Sequence, residues 1–143
     1  MFAVGILAGG YLFAKTQPRS FLSFQRCEKS CFSTNELLGL LASVGIQRFQ
    51  HFIPRVVYET DKTIAIENPE PQAPIHYIII PKKDIKNPAT MTDLDKEYLV
   101  DAYATIQKLI RDKNLTKYKI LTNGPGYQTV TYLHFHLIAP KQN

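Results

Sequence analysis

The sequence predicts an α+β fold: a five-stranded antiparallel sheet with one long helix and a shorter N-terminal helix. Three observations carry that expectation. Short β-branched runs come as closely spaced pairs early and late in the chain, as strands of hairpins do. One long stretch between them repeats its apolar residues at helical spacing. The last run alternates Tyr132, His134 and His136 with Leu133, Phe135 and Leu137, which is the two-residue period of a strand with unlike faces.

Taken in order, residues 2–14 are uncharged and mostly apolar, and the first acidic residue is Glu28. Residues 15–33 carry Arg19, Arg26, several serines and several phenylalanines, the basic, hydroxylated, acid-poor composition of a mitochondrial transit peptide. Residues 1–33 are therefore expected to be a targeting or membrane-anchor segment, with the protein in the mitochondrial matrix or at the inner membrane. A membrane insertion element competes with that reading, because Gly5 and Gly9 stand at G-x-x-x-G spacing, but the run falls short of the about 20 residues of a straight span. A secretory signal is a third reading, weakened because no basic residue precedes the apolar run. Cys27 and Cys31, at C-x3-C spacing, match neither a usual zinc half-site nor a C-x-x-C redox motif and read as unpaired thiols in a reducing compartment.

Residues 34–143 are expected to form the domain. Ser33 and Glu36 have capping-box spacing, and Leu37, Leu38, Leu40, Leu41 and Val44 follow at helical intervals up to Gly45. A further helical turn over 47–52 stops at Pro54, with His51 as an exposed bystander. Residues 55–59 and 63–67 read as a hairpin around Thr60, Asp61 and Lys62, and Pro69, Pro71 and Pro74 forbid regular structure after it. Residues 75–80 make a central strand that stops at Pro81. Thr92 then caps a helix whose stripe is Leu94, Tyr98, Leu99, Ala102, Ile106, Leu109 and Ile110. Residues 117–122 and 131–139 complete the sheet, joined by a loop that contains Gly124, Pro125 and Gly126.

At 143 residues, with 45% hydrophobic and 20% charged side chains, the chain suits one compact domain and excludes disordered or collagen-like classes. Neither G-x-G-x-x-G nor G-x-x-x-x-G-K-[ST] occurs, which argues against dinucleotide and P-loop sites. The formal charge of +5 comes from a few places, Lys82 and Lys83 among them, and no nucleic-acid partner is expected from it. Nothing calls for a cofactor.

The chemistry concentrates in residues 128–139. Two imidazoles one pleat apart can divide labour, one attacking as a neutral nucleophile and the other donating a proton or hydrogen bond to a phosphate oxygen or leaving group. On spacing alone, H-x-H fits a divalent metal pair or two solvated histidines at least as well. The metal reading is weakened because no Cys or carboxylate follows at useful spacing.

From about Gly45 to Pro140 the chain resembles Hint-type histidine-triad (HIT) proteins, on P-Q-A-P-x-H at 71–76, I-P-K-K at 80–83, Gln128-Thr129 and His134-x-His136 in that order. The resemblance implies a homodimeric α+β fold that hydrolyses or transfers at the α-phosphate of a nucleotide, a purine nucleoside monophosphate derivative, through a histidine–nucleotide intermediate. It implies His134 as nucleophile, His136 as the last histidine of the triad, and Thr129 as a catalytic hydroxyl that also binds the nucleotide. Asn68, His76, Asn123 and Gln128 would join Thr129 in binding the nucleotide; His76 serves equally as a buried support. Three departures stand out. Tyr132 replaces the first histidine of the triad, and a phenol takes up no proton near neutral pH. Asn68 replaces an aspartate that grips ribose hydroxyls. Tyr127 stands where glycine is common, in a loop shorter than usual. These departures motivate the alternative of a catalytically weakened structural or binding subunit in a mitochondrial membrane complex, held through residues 1–33.

Overall fold

The computed structural model describes residues 55–142. The expected helix over 33–44, the turn over 47–52 with His51, the segment 1–33 and both cysteines lie outside the described residues.

Five strands form one antiparallel sheet in the order β1-β2-β3-β5-β4. They are β1 Val56–Glu59, β2 Thr63–Glu67, β3 Ile75–Pro81, β4 Lys119–Leu121 and β5 Phe135–Ala139. The hairpin between β1 and β2 closes on Thr60, whose hydroxyl oxygen accepts the N–H of Thr63 at 2.9 Å and of Lys62 at 3.2 Å. A short hydroxyl side chain can thus take turn donors that the ladder leaves unpaired. Prolines 69, 71 and 74 hold the chain out of the sheet until β3 begins.

After β3 come two 3-10 turns, Pro88–Thr90 and Asp93–Asp95, and then helix α1 over Lys96–Asp112. Thr92 sits ahead of the second turn rather than at the helix start, and Asp95 accepts both its N–H at 2.7 Å and its hydroxyl at 3.0 Å. The helix ends where Asn114 enters the left-handed region at φ 50° and the N–H of Leu115 returns to Ile110 O at 2.9 Å.

Alternation sorts the strands into two layers. Ala65, Tyr77, Ile79, Phe135, Leu137 and Ala139 face α1 and pack with its Ala102, Ile106 and Leu109. Each fully buried Ile, Leu or Phe of this layer contributes roughly 1.5–3 kcal/mol relative to exposure, and each alanine methyl well under half of that. The opposite face carries a smaller cluster in which Ile64 and Tyr132 pack with Ile66, Ile80 and Val130.

Two strands differ from expectation by more than one residue. The fourth strand is confined to Lys119–Leu121. The last begins at Phe135, four residues later than its β-branched sequence suggests. Tertiary contacts draw residues 131–134 off the ladder: the Leu133 N–H donates to Ile85 O at 2.6 Å, and the Tyr132 side chain sinks into the second cluster, where its hydroxyl donates to Pro81 O at 3.0 Å. Strand propensity describes a fit to a pleated surface, and here another surface competes for the same residues.

Candidate active site

The open face of the sheet forms the floor of a cleft of about 640 Å³. Register explains its composition. Ile78 lies opposite His136 and His76 opposite Ile138, so β3 and β5 together present alternating isoleucine and imidazole. Ile78, Ile80 and Ile138 line the cleft with Leu121, while Asn68, Glu70 and Gln72 border it beside the start of β3. Asn123, Tyr127, Thr129, Tyr132 and His134 border it near the start of β5.

Three histidines converge here. His136 Nδ1 lies 2.9 Å from His76 Nε2, and the His134 and His136 rings meet edge to face with centroids 4.9 Å apart. Fixed backbone groups decide which nitrogens carry protons. The Gln72 N–H can only donate, and it reaches His76 Nδ1 at 3.1 Å, so that atom is the acceptor and Nε2 bears the hydrogen. His76 Nε2–H therefore donates to His136 Nδ1, which leaves the His136 proton on Nε2, the remaining nitrogen of a ring that lines the cleft. For His134 the logic reverses: its Nδ1 lies 2.7 Å from Tyr132 O, a pure acceptor, so Nδ1 carries the proton and Nε2 keeps a lone pair. The neighbouring rings thus present one nucleophilic nitrogen and one N–H donor.

All three imidazoles are held neutral. Desolvation lowers the pKa of His76 and of His134, the latter against the opposing pull of its bond to Tyr132 O. His136 falls to about 4, mainly by desolvation and then by the proximity of His134 and His76. At neutral pH His136 is accordingly a hydrogen-bond donor with little capacity to deliver a full proton.

Tyr132 bears on the site through its backbone. Its side chain is 2% exposed, but the group that sets the His134 tautomer is its carbonyl, which any residue at that position supplies. Gln128 is not among the cleft-lining residues; its buried amide donates to Lys86 O at 3.0 Å and toward Tyr132 O at 3.5 Å. The structure places Gln128 behind the cleft, beside Lys86 and Tyr132. His76, buried to 3% exposure, lies behind His136 and bonds to its Nδ1.

Asn68 lines the cleft, but its side chain is engaged. Its Oδ1 accepts the N–H of Glu70 at 2.9 Å, and its Nδ2 stands 3.1 Å from both ring nitrogens of His76. Equal distances to two ring atoms put the amide over the ring face, away from either lone pair. Thr129 and Asn123 line the cleft. Tyr127, 85% exposed, follows Gly126 at φ 90° in a turn where the N–H groups of Tyr127 and Gln128 both reach Gly124 O, and it borders the mouth without filling it. The isoleucine floor and the Gln72 N–H did not stand out in the sequence; the i, i+2 spacing of Ile78 and Ile80 was the available signal for the floor. Among the described residues, no group of three or more His, Cys, Asp or Glu is arranged to hold a metal ion.

Comparison with known proteins gives consistent results. Residues 49–143 match the family described as "Scavenger mRNA decapping enzyme C-term binding". A HIT-like protein of Synechococcus elongatus is 37% identical over 87 residues, 59% of this chain and 76% of its own length. One from Buchnera aphidicola is 31% identical over 98 residues, 65% of this chain and 86% of its own. Among solved structures, a HIT family hydrolase of Legionella pneumophila superposes with a TM-score of 0.61 at 33% identity, over 68% of this chain and 91% of that one. A HIT family hydrolase of Clostridium thermocellum gives 0.62 at 30% identity, over 69% and 90%.

Proposed function

The chain belongs to the histidine-triad family and has the fold of its hydrolases, and on that premise we propose that it is a nucleotide phosphoramidase or nucleotidyl hydrolase acting at the α-phosphate, with His134 as nucleophile. The observation that carries this reading is the opposed tautomers of His134 and His136 on one cleft. A neutral imidazole with a free Nε2 lone pair can attack phosphorus, while the His136 Nε2–H bonds an oxygen on which charge develops. The bond from His134 to phosphorus forms as the bond from phosphorus to the amine or other leaving group breaks, and the leaving group departs with a proton from solvent. Water then attacks the nucleotidyl-imidazole, giving the monophosphate and restoring neutral His134. The Thr129 hydroxyl and Asn123 amide supply further hydrogen bonds to the phosphoryl oxygens, and the isoleucine floor accepts the apolar faces of a purine nucleoside.

Incubation of the pure protein with adenosine phosphoramidate is expected to release AMP. Replacement His134→Ala should abolish the release, and full activity in that variant removes His134 from the mechanism.

A homodimer belongs to the same reading. β4 is an outer strand of the sheet, and Ile120, opposite Leu137, lies at that edge on the helix side. Ile120 and Tyr118 are exposed, as are Val100 and Tyr103 of α1. A second copy would cover this apolar border and complete the strand edge. Light scattering should give the mass of two chains, and Ile120→Lys should reduce it to one. Residues 1–33 are assigned to mitochondrial targeting or to anchoring in a mitochondrial complex. A fluorescent fusion of residues 1–33 that stays in the cytosol would refute the targeting assignment.

A further inference from the structure

Charge is unevenly compensated over the described residues. Lys62 bridges Glu97 at 3.3 Å, Lys82 bridges Glu59 at 2.6 Å, Lys83 bridges Asp95 at 2.7 Å and Lys96 bridges Asp93 at 2.9 Å. The last carboxylate side chain in the sequence is Asp112, and Lys108 already holds it at 2.8 Å. Beyond it come Lys113, Lys117, Lys119 and Lys141, all exposed, and no Asp or Glu. The fold gathers these four at one end of the domain. Helix α1 turns back through Asn114, where the Leu115 N–H reaches Ile110 O at 2.9 Å, so Lys113 sits between the helix end and the entry to β4. Gln142 Oε1 accepts the Thr116 N–H at 2.9 Å and its hydroxyl at 3.0 Å, which holds Lys141 close to residues 116–117. Lys119 lies opposite Ile138, on the cleft side, so a second copy that covers Ile120 on the helix side leaves it clear. Lys113 also complements the carbonyl end of α1, a role that the other three do not have.

We propose that this lysine end of the domain is a docking surface for an anionic phospholipid bilayer. Each lysine near a negatively charged membrane strengthens attachment about fivefold, and the attraction acts across roughly a Debye length. It therefore needs the ammonium groups on one end of the molecule rather than at fixed points, which is what four uncompensated, exposed lysines supply. Their chemistry favours lipid over nucleic acid. A lysine is a compact point charge suited to a diffuse field, whereas single-stranded nucleic acid is held by a groove with aromatic faces and by the planar fork of arginine. Tyr118, the aromatic nearest to these lysines in sequence, is assigned above to the apolar border with Ile120. Residues 2–14, uncharged and mostly apolar, supply a complementary signal on the same chain. One short hydrophobic element attaches only marginally, and a basic patch added to it makes attachment stable. The inference is independent of the nucleotide reading.

The test is co-sedimentation of the full chain with vesicles of phosphatidylcholine alone and of equal parts phosphatidylcholine and phosphatidylglycerol. The wild type is expected to favour the anionic vesicles by on the order of 10^2-fold at about 0.05 M salt and to lose most of that preference at about 0.5 M. Lys113→Gln, Lys117→Gln and Lys141→Gln combined in one chain should reduce the preference by about tenfold or more and leave binding to neutral vesicles as in wild type. The same three positions changed to arginine should restore it. A control chain that loses three cations elsewhere, through Arg55→Gln, Lys62→Gln and Lys96→Gln, should keep the preference within about threefold. A triple glutamine chain that retains the wild-type preference, or a control chain that loses as much, overturns the proposal. So does a wild type that binds both vesicles equally. Displacement from the anionic vesicles by single-stranded RNA at equal phosphate concentration assigns the surface to nucleic acid and overturns it as well. Because all three lysines are exposed, a melting curve that matches wild type shows that a lost preference is not a folding defect.

Discussion

The two faces of the sheet are written in alternate residues of the same strands, yet they answer to different physics. On the helix side, Tyr77, Ile79, Phe135 and Leu137 are closed over by Ala102, Ile106 and Leu109, and their contribution is area removed from water. On the cleft side, Ile78, Ile80 and Ile138 remain half-buried around His134 and His136, and that contribution is orientation. A step of one residue along β5, from His136 to Leu137, therefore crosses from the cleft to the core. The separation can be attacked experimentally, since substitutions on one face should move rate without melting and those on the other the reverse.

The largest effect expected is on rate. His134→Ala should lower turnover of a nucleotide phosphoramidate by on the order of 10^5-fold, as removal of a nucleophile does elsewhere. Its thermal midpoint should stay within about 2 °C of wild type. A large loss of midpoint would mean that the cleft face bears stability too. Next, Leu137→Ala should cost roughly 2–5 kcal/mol in a denaturant titration, through lost burial and the cavity left behind. The protein that remains folded should keep its turnover number.

His76→Phe sharpens the contrast, because it preserves bulk behind the site while removing the bond to His136. Turnover should fall about tenfold, the worth of one hydrogen bond held in place, and full retention would show that His136 needs no anchor. Tyr132→Phe should cost about 1 kcal/mol by leaving Pro81 O without its phenol donor, with turnover changed less than about threefold. A collapse of activity there would mean that the phenol itself acts on the ligand.

The smallest effect is the pH dependence of stability. Imidazoles whose folded-state pKa is depressed bind protons more readily when unfolded, so acid favours unfolding. For His136 the window runs from its ordinary 6.5 down to about 4: its contribution is intact above 6.5 and is lost as pH falls through that interval. Urea titrations of wild type and His136→Asn should converge as pH drops from 7 to 4.5, and parallel profiles would show that the site does not exclude protons.

Much of this architecture was legible in the sequence, because amphipathic period and proline placement are local. The hairpin over 55–67, the central strand before Pro81 and the long helix all follow from neighbours a few residues apart. The expectation of a nucleophile at position 134 rested on the company of the Gln128-Thr129 pair and P-Q-A-P-x-H, because H-x-H spacing alone fits a metal pair or solvated histidines as well. The late start of β5 was not, because the Leu133 bond to Ile85 and the burial of Tyr132 against Ile64 come from remote sequence. Nor was the pairing of His76 with His136, which are 60 residues apart and meet only through the β3 to β5 register. The engagement of Asn68 was equally hidden, since an amide in a sequence does not reveal which lone pair is already taken.

The Gln72 N–H has a consequence for how this site can drift. The two-imidazole wire begins at a peptide N–H, which can donate but not accept, so its arrow cannot flip, and the direction is stored in the main chain rather than in any side chain. Every L-amino acid at position 72 with a peptide N–H preserves the arrow. Proline alone erases it, since it removes the one hydrogen that tells the whole relay which way to point.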